Sequence, residues 1–285
     1  MKLGMVYPQI ELRGDPDAVR ALGSAAEGMG FDYLLAYDHV VGAEHADRDP
    51  KLWGPYTEAD PFHDPFVLFS YLAGMTETLE FATGVIILPQ RQTVLVAKQA
   101  ADLDLLSGER LRLGVGVGWN YVEYDALGQD FSTRGARADE QIDFMRRLWN
   151  EPLLDWKGRF DEIERGNILP RPNRQIPVWI GGFSTPAFRR GANLGDGFMF
   201  AGPLERNRPA VAEVDEIAAA SGRDMSNFGR ELIRTGPQSI DETIADMHAW
   251  REMGGTHFAA VSMGLGLDSP EAHLDFFGQV AAANA

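Results

Sequence analysis

Short runs that are apolar on both faces recur along the chain, and amphipathic stretches fill the space between them. The runs are Lys2–Val6, Phe31–Tyr37, Leu79–Ile87, Leu111–Gly116, Val178–Gly181, Gly197–Phe200, Glu231–Thr235 and His257–Met263. Runs of this kind suit strands of a parallel sheet with helices packed on it. The stretches between them carry helix signals. Asp15–Pro16, Asp64–Pro65, Thr185–Pro186 and Ser269–Pro270 each place a capping side chain before a proline at the first helical position. Ser239-Ile240-Asp241-Glu242 reads as a capping box, and Ile240, Ile244, Met247 and Trp250 continue it as one apolar stripe. Ile142, Met145, Leu148 and Trp149 form a second stripe, and Leu274, Phe277 and Ala281 a third. Gly30 and Gly108 stand where a helix end hands over to the next strand.

Eight strand–helix units in a chain of 285 residues predict one (β/α)8 TIM barrel, with residues 1–285 as a single domain. A doubly wound open sheet is the alternative, but Val6-Tyr7-Pro8-Gln9 follows the first strand where a G-x-G-x-x-G turn would be needed. Two insertions interrupt the minimal pattern. One follows strand two, at about residues 40–62. The other precedes strand five, at about 150–177, with a hairpin expected around Trp156–Phe160 and a proline-rich run Leu169–Pro177. Loops of such length are expected to serve as lids or site walls.

Charge and composition narrow the function. There are 42 acidic and 26 basic residues, a net charge of −16, so a nucleic-acid partner or an anionic membrane surface is not expected. There is no cysteine, which removes disulfides, thiolate metal sites and cysteine nucleophiles. The first strand follows Met1 directly and no long apolar stretch occurs, so a cytoplasmic protein acting on a small molecule is expected. A homodimer is left open.

In a barrel, the chemistry lies at the C-terminal ends of the strands. Lys2, Lys51, Lys98 and Lys157 are the only lysines and none falls there, which argues against a Schiff-base enzyme. The six histidines show no paired ligand spacing, so no metal is expected, and no Gly-x-Ser-x-Gly elbow occurs. What remains is Asp38-His39 after strand two, Thr83-Gly84-Val85 in strand three, Gly114–Asn120 after strand four and Gly181-Gly182 after strand five. Glycine lets a flat ring or a phosphate approach the main chain, and amides at a helix start suit an anion. A planar, phosphorylated cofactor across strands three to five fits this pattern; plain packing of the barrel interior is the competing reading.

Several blocks then become specific: Asp104-Leu105-Leu106-Ser107-Gly108-Glu109-Arg110, Leu113–Trp119, Gly128-Gln129-Asp130-Phe131 with Arg134, Pro170-Arg171-Pro172, and Pro177–Gly182 followed by Gly195-Asp196-Gly197. Together they resemble the bacterial luciferase-like monooxygenase superfamily, and within it the branch of oxidoreductases that use the deazaflavin coenzyme F420. The resemblance implies hydride transfer between F420 and a small organic substrate. An FMN-dependent monooxygenase is the alternative, and a non-catalytic flavin-binding barrel a second one. It implies cofactor contacts at Asp38, Thr83, Gly84, Val85, Gly116, Gly118, Asn120, Gly181 and Gly182, with a non-proline cis peptide at Gly84–Val85. It makes His39 the candidate catalytic acid/base, with Asp38 either a cofactor contact or the orienter of His39. Trp119 and Asn120 depart from the residues some members carry there, which leaves a second proton donor unassigned. Trp53, Tyr56 and Trp119 are expected to wall the substrate pocket, together with Phe62. Arg171, Arg174, Arg189 and Arg190 are the candidates to receive an anionic cofactor tail.

Overall fold

A computed structural model describes residues 1–284. Its strands are β1 (Lys2–Val6), β2 (Tyr33–Ala36), β3 (Glu80–Thr83), β4 (Ile86–Ile87), β5 (Leu111–Gly116), β6 (Leu154–Lys157), β7 (Glu162–Gly166), β8 (Val178–Gly181), β9 (Gly197–Ala201), β10 (Gly229–Arg234) and β11 (His257–Ala260). The α-helices are α1 (Gln9–Leu12), α2 (Pro16–Gly28), α3 (Pro65–Ala73), α4 (Thr93–Ser107), α5 (Tyr121–Ala126), α6 (Arg134–Asn150), α7 (Thr185–Leu194), α8 (Leu204–Ser221), α9 (Ile240–Glu252) and α10 (Pro270–Asn284). Strands pair in the order β3-β2-β1-β11-β10-β9-β8-β5, and β5 pairs back onto β3. That last pairing closes an eight-stranded parallel barrel and excludes the open sheet. Strand three is broken: β4 continues β3 beyond Gly84–Val85 and pairs with the second half of β5.

Side-chain caps account for half of the helix starts. Asp15 accepts from the Asp17 amide, and Asp64 from the amides of Phe66 and Val67. The Ser239–Glu242 box is closed in both directions, and the Ser269 hydroxyl accepts from Ala272. One expectation fails. Thr185 is already helical, and Ser184 before it makes no side-chain cap bond, so the amides that open α7 have no side-chain partner.

The N-terminal end of the barrel is filled. Tyr33 and Trp179 occupy it, and glycines 4, 197 and 229 make the room, since a Cβ at any of them would collide with one of those rings. Between the two rings lies the Arg112 guanidinium, 4.6 Å from Tyr33 and 4.2 Å from Trp179. It pairs with buried Glu231 at 2.5 Å, and the Tyr33 hydroxyl donates to the same carboxylate. A buried pair of this kind is tolerated only when every partner is in place. Paired charge and aromatic rings fill the barrel interior at this end, and outside them lies a surface hollow of about 430 Å³ lined by Lys2, Glu80, Arg174 and His257.

The two insertions differ in fate. Residues 40–62 run as a loop over the mouth and supply Pro55 and Tyr56 to its cavity. The second insertion does form the expected hairpin, β6–β7, but contributes nothing to the mouth. Trp156 stacks on Phe144 of α6 at 5.2 Å, and Glu140 of α6 accepts from the amides of Arg159, Phe160 and Asp161. It is therefore a clasp on the outside of α6, not a site wall. No helix among the described residues is long and apolar enough to cross a membrane.

Candidate active site

A cavity of about 500 Å³ opens at the C-terminal ends of the strands, within the range of small-molecule sites. Its floor is the break in strand three. The Gly84–Val85 peptide is cis, as the resemblance implies. The half-buried Val85 side chain stands over Gly116 and Gly181: a Cβ on Gly116 would lie 2.5 Å from Val85 Cγ2, and one on Gly181 2.7 Å from Val85 Cγ1. These two glycines therefore give space to valine, a more specific need than nearness to a ring. Gly84, Gly118 and Gly182 also line the cavity. Thr83 does not: it is fully buried, and its hydroxyl donates to the Gly114 carbonyl at 2.7 Å.

Asp38 and His39 follow β2 and both line the cavity, but they do different things. Asp38 is buried and accepts from the Ile87 amide at 3.0 Å and from Arg91 at 2.7 Å; Arg91 also reaches Asp64 at 2.9 Å. Burial raises the Asp38 carboxyl above its ordinary range, against the opposing pull of Arg91. It ties β4 and the start of α4 to the end of β2, and it makes no bond to His39. The orienter reading of Asp38 is corrected accordingly.

The partner of His39 is Glu123, in α5, with Nδ1 at 3.4 Å from Oε2. The imidazole is boxed edge-on by Tyr56, Phe62 and Trp119, at ring-centre distances of 5.3, 4.9 and 5.6 Å. Glu123 is almost fully buried and also accepts from the amides of Val40 and Val41 and from the Gln90 side chain. Burial pushes its carboxyl up, but the hydrogen bonds from His39, Val41 and Gln90 outweigh it and hold it below the usual range. Asn120 is absent from the cavity wall. It caps α5, accepting from the amides of Val122 and Glu123, and donates to the Val41 carbonyl. Its effect on the site is indirect, because it orients the turn that carries Glu123. Sequence reasoning missed Glu123; the available signal was its place three residues beyond a helix-capping asparagine.

On the β8 side, Gly181 and Gly182 lead to Ser184 and the uncapped start of α7, and Arg134 from the start of α6 joins the wall there. The Arg134 guanidinium lies 3.7 Å above the Phe131 ring and donates to the Phe131 carbonyl, and its Nε has no partner. The four expected tail arginines do not gather here. Arg174 sits at the opposite end of the barrel, bonded to buried Asp104 and to the Leu111 carbonyl. Arg190 is held by Asp139 and the Gly135 carbonyl, Arg189 is exposed, and Arg171 lines no part of the cavity.

Of the expected pocket aromatics, Tyr56 and Trp119 line the cavity. Trp53 does not: its ring is 69% exposed and carries the Lys51 ammonium 3.9 Å above it. The neighbouring Gly54, not Trp53, packs on Trp119.

The profile of the luciferase-like monooxygenases matches residues 3–278. An uncharacterized protein of Mycobacterium tuberculosis is 34% identical over 71% of this chain and 72% of its own length. The pyrimidine monooxygenase RutA of Allorhizobium ampelinum is 31% identical over 73% of this chain and 57% of its own length. Among solved structures, an F420-dependent secondary alcohol dehydrogenase in complex with an F420-acetone adduct superposes with a TM-score of 0.79 at 15% identity, covering 100% of this chain and 99% of that one. At that identity the likeness concerns the fold.

Proposed function

The chain belongs to the luciferase-like monooxygenase family, and we propose that it is an oxidoreductase transferring a hydride between the deazaflavin F420 and a small organic substrate. Named relatives work with F420 or with reduced FMN. The observation that carries the reading is His39. Hydride transfer at a carbon bearing oxygen needs a proton moved at that oxygen in the same step. His39 lines the cavity, and its ring hydrogen bond among the described residues runs from Nδ1 to Glu123.

The residues present fit such a cofactor. Val85, Gly116 and Gly181 form a floor for a planar ring. The unpartnered amides at the start of α7 and Arg134 form an anion-binding wall on the β8 side, where a phosphate would find both a dipole and a fixed charge. Deazaflavin supplies a two-electron hydride carrier, and the protein supplies orientation, exclusion of water and the proton. Tyr56 and Trp119 close the His39 side against solvent.

Absorbance titration of the purified protein with F420 and with FMN, at low salt, tests this reading. Tight binding of F420 with weaker binding of FMN supports it. Tight FMN binding without F420 binding moves the protein to the flavin-dependent monooxygenases, and binding of neither overturns the cofactor assignment.

A further inference from the structure

The carboxylate against His39 has a consequence for what the site can recognise. An ionised carboxylate only accepts hydrogen bonds. Oε1 of Glu123 takes the Val40 and Val41 amides, and Oε2 takes the Gln90 amide nitrogen and faces His39 Nδ1 at 3.4 Å. The imidazole nitrogen on that side must therefore carry the proton. In the neutral ring the other nitrogen is then bare.

Tyr56, Phe62 and Trp119 pack around the imidazole, each tilted steeply to its plane. Among the described residues, the other charged side chains of the cavity are Asp38, held by Arg91 and the Ile87 amide, and Arg134, at the start of α6. Resting on the reading that substrate meets His39, we propose that Glu123 is a positioning residue that fixes the Nδ1–H form of His39, so that the site selects an uncharged substrate presenting a hydroxyl donor to Nε2. A hydroxyl donates to the bare nitrogen, whereas an ether or a phosphate dianion has nothing to give it, and Arg134, the arginine that lines the cavity, serves the cofactor's phosphate on the same reading.

Nitrogen-15 NMR of histidine-labelled protein without cofactor reads the tautomer, with His39 identified by the signal lost in His39→Gln. The expected spectrum of the neutral ring shows a protonated Nδ1 and an unprotonated Nε2. A protonated Nε2 with a bare Nδ1 overturns the proposal. Glu123→Gln keeps the acceptor for Val40 and Val41 but loses the charge, and should raise the share of the other tautomer. An unchanged ratio removes Glu123 from the role. If that variant fails to fold, the wild-type spectrum still decides.

The substrate class is read with the cofactor-loaded protein, by perturbation of the bound chromophore. Cyclohexanol should bind roughly threefold to tenfold more tightly than methoxycyclohexane, the worth of one neutral hydrogen bond, and more tightly than cyclohexyl phosphate. Equal or reversed affinities refute it. Failure of F420 and FMN to bind would instead strike the cofactor reading, while the tautomer result stands on its own.

Discussion

Replacing Gly116 by alanine tests whether the cavity floor is built as described. The new Cβ would lie 2.5 Å from Val85 Cγ2 and 3.5 Å from the Gly181 carbonyl oxygen. Carbon–carbon contact is favourable only near 3.5–4.0 Å, so the valine must withdraw by about 1 Å. It cannot rotate toward Gly181, because Cγ1 already fills the place where a Cβ on that residue would stand, at 2.7 Å. The one free direction is into the cavity. Overpacking of this kind costs about 1–3 kcal/mol. Gly116→Ala should therefore lower the unfolding free energy in urea by about that amount and weaken whichever of F420 and FMN the wild type binds. Val85→Ala removes both methyl groups at once. In the double variant the clash is gone, so the two effects should be less than additive, with a coupling of about 1 kcal/mol or more. Additive effects, or a Gly116→Ala protein with wild-type stability and cofactor affinity, would refute the nested-valine account.

Three further outcomes follow from other parts of the structure. His39→Gln should lower turnover by about 10²–10⁴-fold while cofactor affinity, read by absorbance titration, stays within a few-fold; the reverse pattern would make His39 a binding residue. Arg134→Gln should weaken the anionic cofactor and flatten the salt dependence of its binding, whereas Arg174→Gln, at the far end of the barrel, should leave binding unchanged and cost about 1.5–3 kcal/mol of stability, because buried Asp104 loses its charged donor. His257 is driven from 6.5 to about 2 by burial first, then by Arg112 and Lys2. Its folded value is depressed, so it destabilises as pH falls below 6.5, where the unfolded chain takes up a proton that the folded one refuses. At pH 5 this amounts to about 2 kcal/mol, and His257→Gln should remove it; an unchanged pH slope of stability would refute the assignment.

The closed barrel, its eight strands and the starts of α2, α3, α9 and α10 were legible from the chain. Alternation of buried runs with capped, amphipathic stretches is set by neighbours a few residues apart, and such signals survive without a tertiary structure. Asp15, Asp64, Ser239 and Ser269 cap where their spacing says they should. The positions of His39 and the glycines at strand ends followed in the same way, because a barrel puts strand ends at one mouth. Partnerships across that mouth could not be read. His39 and Glu123 are 84 residues apart, and only closure of β5 against β3 and the cap by Asn120 bring α5 over the end of β2. Arg174 is near the Gly181–Gly182 turn in sequence but sits before β8, at the strand's opposite end, while Arg134 is remote in sequence and close in space. A strand carries residues only a few positions apart to opposite faces of the barrel, so sequence proximity to a strand does not say which mouth a charge serves. Trp53 and Asn120 illustrate the same limit for direction: one turns to solvent and the other into a helix cap. Those orientations were settled by what else had to be satisfied locally, a ring under Lys51 and the open amides of α5, and by the packing that only the folded chain supplies.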